Sequence, residues 1–139
     1  MFFERYKKFI STLIDRAIED PEFLGILLVG SHARGERRED SDLDLVILLK
    51  NPAPYFSSKT WLKNFGPVKS TLMEDYGALG SLRVFYESVL EIEFGLTGIE
   101  WARPDPIDPG TLKVVQDGVK ILYDPHGHFA SLISEANKI

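Results

Sequence analysis

Leu28-Val29-Gly30-Ser31-His32-Ala33-Arg34-Gly35 and, after six charged or polar residues, Asp42-Leu43-Asp44-Leu45-Val46-Ile47-Leu48 form the stretch on which the fold and chemistry of this chain turn. The apolar run from Phe23 to Val29 closes on Gly30 and reads as a buried strand. Gly30 lets a ligand come close to the backbone. A short helical turn is expected over Ser31 to Gly35, with Ser31 at its N-cap. Free N–H groups at such a start attract phosphate oxygens, and the Ser31 hydroxyl adds a donor there. Asp42 to Leu49 reads as a central strand. Asp42 and Asp44 stand two apart on it, so both side chains leave the same face. Two carboxylates this close repel unless cations neutralise them. Magnesium takes oxygen ligands, often one or two protein carboxylates plus phosphate oxygens. The pair therefore predicts a divalent metal, shared by both or completed by substrate phosphates. Gly-Ser alone, or Asp-x-Asp alone, occurs in many turns and solvated edges. The signal lies in their order, after one apolar strand and leading into another.

Outward from this stretch, Phe2 to Ile18 carries apolar residues at spacings of three and four and predicts an amphipathic helix ended by Asp20-Pro21. Glu36 to Ser41 is a solvated loop, and Asn51-Pro52-Ala53-Pro54 is a turn. A helix is expected over Ser58 to Phe65, stopped by Gly66-Pro67. Val68 to Asp75, Leu82 to Tyr86 and Val89 to Leu96 read as strands, the last two joined by a hairpin at Glu87-Ser88. Arg103 to Gly110 is a loop, Thr111 to Asp117 a helix, Gly118 to Tyr123 a short strand and Phe129 to Asn137 a terminal helix. Trp61, Phe65 and Trp101 are assigned to the core. The simplest architecture is α/β (α+β), a mixed sheet flanked by helices.

At 139 residues and 15.7 kDa, residues 1–139 fit one domain. The chain has no cysteine, which excludes a disulfide framework, a thiolate nucleophile and a Cys-ligated metal. Net charge is -5 and the pI about 5.2. The densest basic cluster, Arg34 to Arg38, is interrupted by Glu36 and followed by Glu39 and Asp40. That balance argues against extended DNA or RNA as a partner and leaves room for a small anionic ligand carried with metal. The opening residues lack the basic-then-apolar order of a signal peptide, and the apolar runs are too short to span a bilayer. A soluble, cytoplasmic protein is the expectation.

Gly30-Ser31, a ten-residue gap and Asp42-Leu43-Asp44 together resemble the signature of the polymerase-beta nucleotidyltransferase superfamily. Gly30-Ser31-His32-Ala33-Arg34-Gly35 with Ser41-Asp42-Leu43-Asp44-Leu45 is similar to the minimal and the aminoglycoside nucleotidyltransferases. The resemblance implies a nucleotidyltransferase fold with a third carboxylate on a later strand. Val89 to Leu96 is the candidate strand, and Glu91 and Glu93 share one of its faces. Ile92-Glu93-Phe94 fits the family pattern better, so Glu93 is preferred; Glu91 then reads as an ordinary exposed strand residue. The implied catalytic and metal set is Asp42, Asp44 and Glu93 around Mg2+ or Mn2+. Gly30, Ser31, Arg34 and Ser41 are the implied nucleotide contacts, with Arg34 alternatively paired to Glu36 or Glu39.

The implied reaction moves a nucleoside monophosphate, AMP from ATP, to a hydroxyl of a small molecule or protein, with pyrophosphate released. Glu93 completes the metal cluster or takes the acceptor proton. Relatives of this short type often pair with small helical toxin proteins, which some adenylylate, so the resemblance also admits an antitoxin-type transferase acting on such a partner. A domain this small often completes its acceptor cleft by dimerising or by binding another chain, so a homodimer or a small helical partner is expected. A catalytically silent nucleotide-binding module is the competing reading. His32 is assigned to solvent or helix packing. His126 and His128, without nearby cysteine or clustered acids, are assigned to the surface.

Overall fold

The computed structural model describes residues 4–35, 42–76, 79–88 and 90–139. Helix α1 (Glu4–Glu19) follows the spacing of its apolar residues. Tyr6, Phe9, Ile10, Leu13 and Ala17 are buried, whereas Lys7, Lys8, Asp15 and Arg16 face water. Asp20 ends it by accepting from the Glu22 N–H at 3.0 Å and from the Tyr55 hydroxyl at 3.2 Å.

Six strands follow: β1 (Phe23–Val29), β2 (Leu43–Leu49), β3 (Val68–Tyr76), β4 (Leu79–Tyr86), β5 (Glu91–Thr97) and β6 (Lys120–Tyr123). They form one sheet in the order β3-β4-β5-β2-β1-β6. Every neighbouring pair is antiparallel except β2 with β5, which is parallel. This is the mixed sheet expected from the sequence.

The two faces of the sheet are covered unequally. On one, Leu43, Leu45 and Ile47 of β2, Leu82 and Val84 of β4, and Ile92, Phe94 and Leu96 of β5 pack with the buried face of α1. On the other, Leu27, Val46 and Leu48 pack with Trp101, Val115, Phe129 and Leu132. These come from a 3-10 turn (Ile99–Ala102), α4 (Pro109–Asp117) and α5 (His128–Ala136). Asp108 starts α4 by accepting from the Thr111 N–H at 3.1 Å, with Pro109 in its first turn. Among the described residues this second cluster draws on β1 and β2 and on no residue of β3, β4 or β5. The half of that face over β3, β4 and β5 carries Glu74, Ser81, Arg83, Glu91 and Glu93 together with Leu72 and Phe85.

The strands lie close to where the sequence places them. β4 starts three residues earlier than the expected Leu82, because pairing with β3 continues out to Tyr76 and Leu79. After the single helical turn α2 (Gly30–Arg34), the expected turn at Asn51 to Pro54 runs into a short helix, α3 (Ala53–Ser57). Proline preset for helical φ suits that first turn. The helix expected over Ser58 to Phe65 is a 3-10 turn (Thr60–Phe65). Its first residues are drawn tight as Trp61 donates through Nε1 to the Tyr55 carbonyl at 3.0 Å. Trp101 is buried, and Trp61 and Phe65 are half-buried against Phe94. The segment 36–41 lies outside the described residues. No helix among the described residues is long and apolar enough to cross a membrane.

Phe94 is fully buried, and its ring meets those of Phe9, Trp61 and Phe65 at centroid distances of 5.9, 5.0 and 6.4 Å. Phe94→Ala is expected to cost roughly 3–5 kcal/mol in urea unfolding. A loss below about 1 kcal/mol would contradict this packing.

Candidate active site

Strand pairing sets the positions of the charged groups. The parallel ladder of β2 and β5 places Asp44 beside Glu93. The antiparallel ladder of β4 and β5 places Arg83 on the other side of Glu93. Asp42, just before β2, leaves the sheet on the same side as Asp44. Carboxylate oxygens from Asp42, Asp44 and Glu93 lie within 4.8 Å of one another, and all three residues are half-buried. Residues two positions apart on one strand and a third from its parallel neighbour thus converge on the half of the face that lies outside the second apolar cluster of the described residues.

Gly30 closes the site from β1. Val29 pairs with Asp44, so the chain turns beside the Asp44 side chain. Gly30 has φ +72°, and a Cβ there would lie 2.2 Å from the Asp44 carboxylate Oδ2. Only glycine admits both that backbone and that contact.

The electrostatics follow from crowding. Burial raises the Asp44 pKa from its usual 3.8 to about 8, aided by the Asp42 charge, a hydrogen bond with Asp42 and the Glu93 charge. Burial also pushes Glu93 up, and the Arg83 cation only partly offsets it. Arg83 is the main local counter-charge. Its Nη1 donates to Asp42 Oδ2 at 3.0 Å and to Glu91 Oε2 at 2.7 Å; its Nη2 donates to Glu93; its Nε lies 3.7 Å from Glu74 Oε1. The oxygen-only donor set, the mutual approach and the raised Asp44 pKa fit a hard divalent cation such as magnesium.

The sequence-assigned residues fall as follows. Asp42, Asp44 and Glu93 come together. Glu91, the alternative third acid, turns to Arg83. Gly30 and Ser31 open α2, a single helical turn whose N-cap is Val29 rather than Ser31, without a side-chain cap bond. Turning at Gly30 starts the helix one residue early, which displaces Ser31 from the cap. Arg34 is exposed at the end of α2 and its Cγ lies against Gly118, 3.2 Å from where a Cβ would be. Ser41 lies outside the described residues. His32 is buried edge-on to Tyr6, with ring centroids 5.3 Å apart, which is the helix-packing alternative. His126 is exposed and His128 half-buried, with rings 6.0 Å apart and outside the acidic group.

Arg83 was not legible from local pattern alone. It is a lone charge in the apolar run Leu82-Arg83-Val84-Phe85. A hairpin centred on Ser88 puts position 83 opposite 93, and that register is the signal that finds it.

Asp42, Asp44 and Glu93 thus converge on a mixed sheet beside a strand-to-helix glycine turn, an arrangement that could hold a metal ion. Residues 10–107 match the family model described as "Nucleotidyltransferase domain", and the chain belongs to that family. Among solved structures, an aminoglycoside 6-adenyltransferase from Bacillus subtilis is similar at TM-score 0.53 and 15% identity, over 67% of this chain and 35% of that one. A cytoplasmic RNA terminal U-transferase is similar at TM-score 0.46 and 14% identity, over 68% of this chain and 30% of that one. A nucleotidyltransferase-like protein from Exiguobacterium sibiricum is similar at TM-score 0.47 and 13% identity, over 91% of this chain and 37% of that one. The chain thus spans about a third of the length of these proteins. No curated protein matches the sequence.

The Asp44 shift sets a pH dependence. Between its usual 3.8 and about 8 the folded protein holds a proton that the unfolded chain has lost. Its contribution to stability is therefore full below that window and is lost as pH rises through it. In chelator, Asp44→Asn is expected to melt above wild type at pH 8, with the gap shrinking toward pH 4. A gap independent of pH would contradict the crowded carboxylate. Separately, Gly30→Ala is expected to lose roughly 1–3 kcal/mol through strain and the Asp44 clash, read by thermal melting. Unchanged stability would remove Asp44 from that corner.

Proposed function

We propose that this chain transfers a nucleoside monophosphate, AMP from ATP, to a hydroxyl of an acceptor, with residues 1–139 acting as one domain. The observation that carries this reading is the convergence of Asp42, Asp44 and Glu93 on one half-open face beside Gly30. Family membership adds the reaction class. Asp42 and Asp44 would hold magnesium, with Glu93 completing the set. The bound cation would neutralise triphosphate charge and favour attack at the α-phosphorus.

The chain's own residues supply positioning and proton handling. Gly30 leaves backbone space for phosphate approach, Ser31 offers a hydroxyl, and Arg34 and Ser41 are further phosphate contacts. The acceptor oxygen forms a bond to the α-phosphorus as the bond from that phosphorus to its bridging oxygen breaks. Pyrophosphate departs with that electron pair, and the acceptor proton passes to Glu93. The uncovered half-face over β3, β4 and β5 gives an acceptor room to reach it.

Calorimetry with magnesium and ATP, followed by a pyrophosphate-release assay across small-molecule and protein hydroxyl acceptors, tests this reading. Asp42→Asn and Asp44→Asn should each abolish metal-dependent nucleotide binding with the fold retained. Wild-type affinity in both variants would remove the aspartates from the site. Glu93→Gln should depress turnover on the order of a hundredfold and binding far less. The same pattern in Glu91→Gln instead would transfer the role to Glu91. Binding without turnover on any acceptor would leave a nucleotide-binding module.

A further inference from the structure

Arg83 is the group whose place the proposed reaction does not explain. Its guanidinium touches Asp42, Glu74, Glu91 and Glu93, and its side chain is only 26% exposed. Two of those partners, Asp42 and Glu93, also belong to the three-carboxylate group. An exposed ion pair contributes little and needs no such convergence. Here one cation sits among four acids on a half-buried strand face, where carboxylates without a counter-charge would drive one another apart. The register of β4 against β5 fixes it there, because Arg83 pairs directly with Glu93 and its Cβ must leave on the same face.

We propose that Arg83 is the site's resident cation: it holds Asp42 and Glu93 in place while no metal is bound and yields at least part of that hold when a divalent ion enters. This inference rests on the metal reading of Asp42, Asp44 and Glu93. The two cations compete for the same carboxylates. Arg83 therefore lowers metal affinity while keeping the acids assembled, and it makes release of the metal easier after turnover. Glu91 and Glu74 have a defined part in this arrangement. They lie outside the three-acid group yet contact the guanidinium, so Arg83 keeps partners when it lets Asp42 go. Arg83 acts here as a positioning residue; its effect on the reaction passes through the acids.

The test uses the full chain without nucleotide. Manganese is titrated by electron paramagnetic resonance into wild type, Arg83→Gln and Arg83→Lys. Loss of the charge should tighten manganese binding on the order of tenfold, because a like charge next to the ion is removed. Arg83→Lys, which keeps the charge without the fork, should fall between wild type and Arg83→Gln. In chelator Arg83→Gln should melt below wild type, and manganese should raise its melting temperature by more. Equal or weaker manganese affinity in a folded Arg83→Gln protein overturns the proposal.

A second measurement needs no variant. In wild type, magnesium titration should move the Arg83 Nε–H resonance and speed its exchange with solvent. A resonance that stays still while magnesium binds overturns the proposal as well. Wild type that binds neither ion would sink the metal reading itself, and the inference with it. Wild type that binds while Arg83→Gln is unchanged sinks the inference alone.

Discussion

Backbone pairing holds like charges side by side in this protein, and the rest of the site depends on that constraint. The parallel ladder between β2 and β5 aligns Asp44 with Glu93 whether or not the two carboxylates tolerate each other. The ladder cannot slip to relieve the repulsion. Leu43, Leu45, Ile92 and Phe94 alternate with the acids on the opposite face and are fully buried in the α1 cluster. A shift of one residue would turn Ile92 and Phe94 toward water and drive Glu93 into the core. The apolar face therefore places the acids, and their mutual repulsion is tolerated because the burial beneath them is worth more. Each fully buried side chain of that kind contributes roughly 1.5–3 kcal/mol.

Unequal covering of the sheet turns this placement into an accessible site. The 3-10 turn at Ile99–Ala102, α4 and α5 close the second face over β1 and β2, where Leu27, Val46 and Leu48 need cover. Over β3, β4 and β5 the same face presents Arg83, Glu91 and Glu93, half-buried rather than enclosed in an apolar cluster. The boundary between the two halves runs along β2, and Asp44 stands on it. Its position explains why its pKa is raised: it has the packed half on one side and Asp42 and Glu93 on the other.

The sequence revealed what local pattern encodes. Alternation along Asp42 to Leu49 and Val89 to Leu96 carried the strands and put Asp42, Asp44, Glu91 and Glu93 on definite faces. The choice of Glu93 over Glu91 as third acid came from the family pattern; in space Glu93 lies opposite Asp44 and Glu91 does not. What escaped was whatever depends on pairing between strands or on contacts at the end of an element. Arg83 has no local signature, and its meaning appears only when β4 is laid against β5. The short helix at Ala53–Ser57 escaped because a proline-rich stretch reads equally well as a turn until Phe56 and Tyr55 find their packing. Ser31 missed the cap because Gly30 turns under the demand of the Asp44 contact, a requirement written on another strand.

Two separate positive charges offset part of the acid charge in the metal-free cluster. Burial favours a proton on Asp44 up to about pH 8, and the Arg83 guanidinium holds Asp42 and Glu93. On the proposed metal reading, entry of a divalent cation would displace the proton from Asp44 and loosen the guanidinium, a net gain of one positive charge among the crowded acids. That gain matters in a half-buried setting, where any uncompensated charge is costly. It also links the site to the stability of the fold. The crowded acids weaken the metal-free protein, and whatever binds the folded form but not the unfolded chain restores what they cost. On the proposed metal reading such a cluster is least stable alone and most stable when loaded, which is the opposite of what a purely structural ion-pair network would produce.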